Sequence, residues 1–135
     1  MPGGLSARIL PYLRFWVLLI LILAADQFTK AWIDSTLPFG TYFPGGGPGG
    51  ASPIVVIPDF LQWVHIGNEG AAWGILDGQR LFLILVAVGA LIAIYVFRGS
   101  LELKRPGMQI CFGMIVGGIL GNLLDRLLYG HVVDF

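Results

Sequence analysis

Three apolar blocks, set apart by short charged stretches, constrain what this chain can fold into. The first runs from about Tyr12 to Trp32, uncharged from Phe15 to Ala25 and followed by Asp26 and Lys30. The second, Leu81–Phe97, and the third, Met108–Leu124, each hold 17 uncharged residues. About 20 apolar residues in a helix cross a hydrocarbon core, so the first block is long enough to span and the others sit at the short end of the range. Composition agrees: 56% of residues are hydrophobic, 12% are charged and the mean hydropathy is +0.82, which is not the balance of a soluble domain. The expected fold class is a mainly α integral membrane protein, a single domain over 1–135, with helices over about 12–32, 81–97 and 107–128. Arg8 and Arg14 before the first apolar run also suit a cleaved signal peptide. No small-x-small cleavage pattern precedes Asp26, which favours a retained first helix.

Charge sets the expected orientation. Arg98, Lys104 and Arg105 stand against Glu102 between the second and third blocks, whereas the loop after the first carries Asp34, Asp59, Glu69 and Asp77 against Arg80. The positive-inside bias puts the N-terminus and the 98–105 loop in the cytoplasm, and the 34–80 loop and the stretch after Arg126 outside. Asp26, Lys30, Asn68, Asn122, Asp125, Arg126, His131 and Asp134 then gather on one membrane face, a site-like distribution. Eight basic and eight acidic residues give zero formal charge, with no basic surface for a nucleic-acid backbone. The lone Cys111 excludes an internal disulfide framework and reads as a small buried hydrophobe. His65 and His131 are isolated and read as interfacial or substrate-adjacent rather than as metal ligands; neither metal nor cofactor is expected.

Within the external loop, Pro44–Pro53 (PGGGPGGASP) reads as a flexible insertion outside any site. Ile54–Ile57 and Phe60–Ile66 suggest two short strands at the membrane surface, with Phe60, Trp63 and Trp73 at headgroup level. Asn68–Gly74 (NEGAAWG) surrounds one amide with small residues, including Gly70, a composition suited to close backbone approach by a ligand and equally to an ordinary loop. Gly113, Gly117 and Gly121, four apart, line one helix face for close packing. Asn122 stands at i−3 and i−4 from Asp125 and Arg126, and Asp26 and Lys30 are spaced to pair along a helix. Asp125 suits a structural carboxylate bonded by backbone or Arg126. Asp134 sits in the apolar frame Val132-Val133-Asp134-Phe135, a setting in which carboxyls are tuned for acid–base work, although spacing alone also admits a solvated carboxylate.

Taken together, Asp26-Gln27-Phe28-Thr29-Lys30, Asn68-Glu69-Gly70-Ala71-Ala72-Trp73-Gly74, Gly121-Asn122-Leu123-Leu124-Asp125-Arg126 and Val132-Val133-Asp134-Phe135 resemble lipoprotein signal peptidase, or signal peptidase II. The likeness covers the chain apart from Pro44–Pro53. It implies a bacterial inner-membrane, multi-pass aspartic endopeptidase with four transmembrane helices, three of them present here, and a small external β-cradle with the active site on the periplasmic face. Such an enzyme removes the signal peptide of a diacylglyceryl-modified prolipoprotein just before the lipidated cysteine; its partners are that precursor and membrane lipids. By the same resemblance Asp134 matches one of two catalytic aspartates, Asn68, Asn122 and Arg126 line the substrate site beside Gly70, and Asp26, Lys30 and Asp125 support it. Trp73 stands where the family usually has Phe.

The second catalytic aspartate belongs to a later FNxAD motif, and this sequence stops at Phe135, so no residue matches it. Two carboxylates sharing a proton divide the work, one activating water as base while the other donates to the scissile carbonyl; one carboxylate cannot do both. The chain alone is therefore expected to be inactive. The alternative is a non-enzymatic three-helix membrane protein or a degenerate homologue that binds lipoprotein precursors.

Overall fold

A computed structural model describes residues 9–135; Arg8 lies outside them. After a single 3-10 turn at Leu10–Tyr12 come helix α1 (Leu13–Thr36), strands β1 (Ile54–Ile57), β2 (Leu61–Trp63) and β3 (Ile66–Asn68), helices α2 (Arg80–Val96) and α3 (Pro106–Leu128), and strand β4 (Val132–Asp134). These elements fall into two compact units.

The helical unit comprises residues 9–26 and 84–123. Glycine governs how α3 meets α1. A Cβ on Gly113 would come 2.8 Å from the Phe15 carbonyl oxygen, and one on Gly117 would come 2.9 Å from the Ile22 Cβ. The Asp26 carboxylate lies in the space that a side chain at Gly121 would need. Small residues on one face thus let the two backbones approach, as membrane helices require when no hydrophobic effect drives them together. Gln109, buried at the start of α3, donates from Nε2 to the carbonyls of Pro11 at 2.7 Å and Lys104 at 3.1 Å. Helix α2 buries no residue, and Leu85, Ile92 and Tyr95 are all exposed. The stretch Leu10–Thr36 and α3 are long and apolar enough to cross a membrane; α2, at 17 residues, rises about 26 Å and is shorter. Cys111 is exposed on α3 rather than buried. The correction follows from the setting, because a membrane helix turns apolar side chains outward to lipid.

The second unit holds residues 27–83 and 124–135. Its core is Ile33, Leu37 and Val133, with Ile54 and Trp63 packed on it. Strands β1 and β2 form an antiparallel hairpin with Ile54 opposite Trp63 and an irregularity between Val55 and Ile57. The expected second strand, Phe60–Ile66, is split. His65 leaves the hairpin to bridge Thr41, and Ile66–Asn68 then pairs antiparallel with β4, setting Ile66 opposite Asp134 and Asn68 opposite Val132. His65 is buried, not interfacial, with Nδ1 donating to the Leu37 carbonyl at 2.7 Å. The Gly/Pro-rich segment forms a loop closed on itself. Gly45 N–H donates to Ser52 Oγ at 2.7 Å and Gly47 N–H to the Ala51 carbonyl at 3.0 Å.

Candidate active site

Strand β4 presents successive side chains to opposite faces, so burying Val133 in the core turns Asp134 the other way. Asp134 Oδ2 accepts a hydrogen bond from Asn68 Nδ2 at 3.0 Å. The same Asn68 nitrogen donates to the Ala71 carbonyl at 3.0 Å, while Asn68 Oδ1 accepts from Gly70 N–H at 2.9 Å. Both ends of one amide are thus engaged, which fixes its orientation toward the carboxylate. Arg126, on the last turn of α3, donates from a guanidinium nitrogen to the Gly70 carbonyl at 2.7 Å and holds the far side of that turn. Four expected site residues, Asn68, Gly70, Arg126 and Asp134, therefore meet. Asn122 stands one helical turn before Arg126, exposed, in the other unit.

Asp134 opens into a cavity of about 530 Å³ whose walls include Tyr42, Asn68, Glu69, Trp73 and Asp77. That volume suits a small ligand or a short peptide segment. Trp73 is 96% exposed and, although not glycine, has φ +57°, in the left-handed region that side-chain-bearing residues seldom adopt.

A second cluster lies behind the strand. Asp125, 1% exposed, accepts from Lys30 Nζ at 2.8 Å and from Val133 N–H at 3.1 Å through Oδ2, and from Gln27 Nε2 at 3.0 Å through Oδ1. One buried carboxylate on α3 thereby ties α1 to the backbone of β4, one residue from Asp134. Of the partners expected for Asp125, backbone or Arg126, the structure shows the backbone, through Val133 N–H, while Arg126 reaches Gly70, since adjacent residues on a helix point apart. Lys30 forms an ion pair with Asp125 across elements, and the Asp26 carboxylate lies beside Gly121. A separate cavity of about 420 Å³ is lined by Lys30, Asp34, Asp125, Tyr129 and His131. Among the described residues no three His, Cys, Asp or Glu side chains are placed to hold a metal ion.

Sequence reasoning missed Gln27, Tyr42, Glu69 and Asp77. Gln27 lies inside the motif from Asp26 to Lys30, three residues before Lys30, so helical spacing could have placed it beside that lysine. Tyr42 carried no signal, since its position depends on the Thr41–His65 bridge.

Apolar helices joined to a small sheet that holds a carboxylate in a cavity define a class of membrane enzyme. Solved structures agree: a bacterial membrane enzyme obtained by the in meso method at 2.3 Å resolution superposes with a TM-score of 0.76 at 33% identity, over 90% of this chain and 67% of that one. A second, at 1.9 Å resolution, gives 0.72 at 33% identity, over 90% and 71%. The family profile described as signal peptidase (SPase) II matches residues 18–135. The lipoprotein signal peptidase of Xanthomonas euvesicatoria pv. vesicatoria is 35% identical over 138 aligned positions, covering 97% of this chain and 73% of the relative. That of Listeria welshimeri serovar 6b is 34% identical over 122, covering 90% and 71%. The chain belongs to the signal peptidase II family, and hence among proteases that process lipoproteins.

Proposed function

We propose that the chain carries one half of the catalytic centre of a membrane aspartic endopeptidase, which removes the signal peptide from diacylglyceryl-modified prolipoproteins just before the lipidated cysteine. Asp134 is the catalytic carboxylate. The observation that carries the reading is its placement, on a strand whose other face is core, oriented by Asn68 and opening into a cavity of peptide-binding size. Asn68, Gly70 and Arg126 form the substrate-binding set, supported by Lys30 and Asp125; the family resemblance adds Asn122 to the first group and Asp26 to the second. The site faces the periplasm at the inner membrane, following the positive-inside bias of Arg98, Lys104 and Arg105.

Peptide hydrolysis by carboxylates needs a base toward water and an acid toward the carbonyl. Two carboxyls close enough to share a proton supply both, because neighbouring like charges push their affinities for protons apart. Asp134 is one of them. Residues 1–135 contain no match to the family's second, so this stretch alone does not turn over.

The test compares cleavage of a synthetic diacylglyceryl-modified peptide by the 135-residue chain and by a chimera that continues, after Phe135, with the segment following the matched region of the Xanthomonas relative. The chimera cleaves and the chain does not. Asp134→Asn in the chimera keeps the shape, removes the ionisable group and lowers turnover at least ~100-fold. Substantial cleavage by the chain itself, or by the Asp134→Asn chimera, would show that the dyad is misassigned.

A further inference from the structure

We infer that Tyr42 is a substrate-positioning residue of this site and that the Gly/Pro-rich loop after it serves to hold it there; the inference rests on the peptidase reading above. Tyr42 shares the walls of the Asp134 cavity with Trp73, yet its side chain belongs to no core. It is 47% exposed, and among the described residues its hydroxyl has no hydrogen-bond partner. Among the described residues its ring pairs with one other aromatic ring, that of Phe43, edge to face at 4.5 Å. A large aromatic surface left open beside a catalytic carboxylate is surface available to a ligand.

The backbone beneath it is fixed. Thr41 is fully buried; its N–H donates to the Pro38 carbonyl at 3.2 Å and its carbonyl accepts from His65 N–H at 2.8 Å. Gly40 N–H returns a bond to the His65 carbonyl at 2.9 Å, and Thr41 Oγ1 donates to the Pro38 carbonyl at 2.6 Å. His65 immediately precedes β3, the strand that carries Asn68 and pairs with the strand of Asp134. Tyr42 is therefore held in register with the catalytic carboxylate although it is far from it in sequence. The loop presses from behind on Thr41, the residue before Tyr42. Gly47 packs so closely that a Cβ there would come 2.5 Å from Thr41 Oγ1 and 2.9 Å from the Ala51 carbonyl oxygen. Only glycine permits that approach. The occupant this wall suits is the peptide strand that carries the scissile bond, whose apolar side chains stack against Tyr42 and Trp73 while its backbone meets Asn68 and Asp134.

Binding of an uncleaved diacylglyceryl-modified peptide to the full chain bearing Asp134→Asn, in detergent micelles, isolates this contact from turnover. Tyr42→Ala weakens binding about three- to tenfold, the worth of one aromatic contact. Tyr42→Phe leaves it unchanged, because the ring and not the hydroxyl makes the contact. Gly47→Ala weakens binding with the site's own residues intact. Thermal unfolding of each variant is measured alongside. Affinity within twofold of the parent for Tyr42→Ala, or weakened affinity only in proportion to lost stability, overturns the inference and leaves the peptidase reading standing. An effect of Tyr42→Ala on partition into vesicles with none on peptide affinity also overturns it, making Tyr42 a headgroup anchor. Failure of the parent itself to bind the lipopeptide removes the peptidase reading, and the inference with it.

Discussion

Asp125→Ala removes the carboxylate that balances Lys30, and the structure gives the size of the loss. The side chains of Lys30 and Asp125 are 7% and 1% exposed, so an ammonium left behind cannot recover its hydration in place. Breaking a buried pair by deleting one partner costs about 3–5 kcal/mol. Val133 N–H and the Gln27 amide lose their acceptor in the same step, which keeps the cost in the upper part of that range. Replacing both charges, Lys30→Met with Asp125→Leu, leaves no orphan charge and recovers most of the stability, since a well-packed apolar pair of similar volume is often neutral or better. Unfolding by a denaturing detergent, followed by circular dichroism from mild micelles, measures both variants. The double variant is then stable yet still lacks the acceptor for Val133 N–H, so its substrate affinity stays low. A loss below about 1 kcal/mol for Asp125→Ala would refute the anchoring argument. So would native stability accompanied by complete loss of turnover in the active chimera, which would make Asp125 a chemical group instead.

Gly117→Val drives a branched side chain into Ile22 and Leu19, and overpacking of this kind costs about 1–3 kcal/mol; unchanged unfolding would refute the close approach of α3 to α1. Arg126→Ala frees the Gly70 carbonyl and loosens the Asn68–Gly74 turn, a loss of about 1.5–3 kcal/mol for a charged hydrogen bond, read as weaker lipopeptide affinity; unaltered affinity would detach Arg126 from the site. A reporter active only in the periplasm is silent when fused after Glu102 and active within Pro44–Pro53; the reverse pattern refutes the orientation.

What the sequence made legible follows from how local each signal is. Uncharged runs announce helices directly, and the four-residue spacing of Gly113, Gly117 and Gly121 announces a packing face, because both are periodicities along one element. Helix α1 runs on to Thr36, past the charge at Asp34, because Ile33 just before that point and Leu37 just after it both belong to the core of the second unit. The paired strands β3 and β4 were not legible. Each has only three residues, Gly67 interrupts the first, and Asn68 and Asp134 stand 66 residues apart in sequence, so no local pattern distinguishes them from loop. The motifs supplied Asn68 and Asp134 without their contact, which exists only through that pairing. Composition did not disclose how Pro44–Pro53 closes on itself, because glycine permits both disorder and tight closure, and the bonds to Ser52 and Ala51 are ones that composition does not weigh.

The strand pairing also explains why a buried ion pair sits behind the Asp134 carboxylate. A buried pair is weak evidence for stability, because desolvation offsets much of its attraction; its best-attested use is to fix register. Register is what β4 most needs. With a side-chain period of two, a slip of one residue would turn Asp134 into the core beside Ile33 and Leu37 and present Val133 to the cavity. Three residues of ladder opposite Ile66, Gly67 and Asn68 give little energy against such a slip. The bond from Val133 N–H to Asp125 Oδ2 names one position on the strand, and Lys30 and Gln27 hold that oxygen pair still from α1. Asn68 then checks the same register from the opposite face by meeting the Asp134 carboxylate itself. A carboxylate on so short a strand is placed by polar contacts on both faces, which is why Lys30, Asn68, Asp125 and Asp134 form one mechanical unit although only the last is proposed for chemistry.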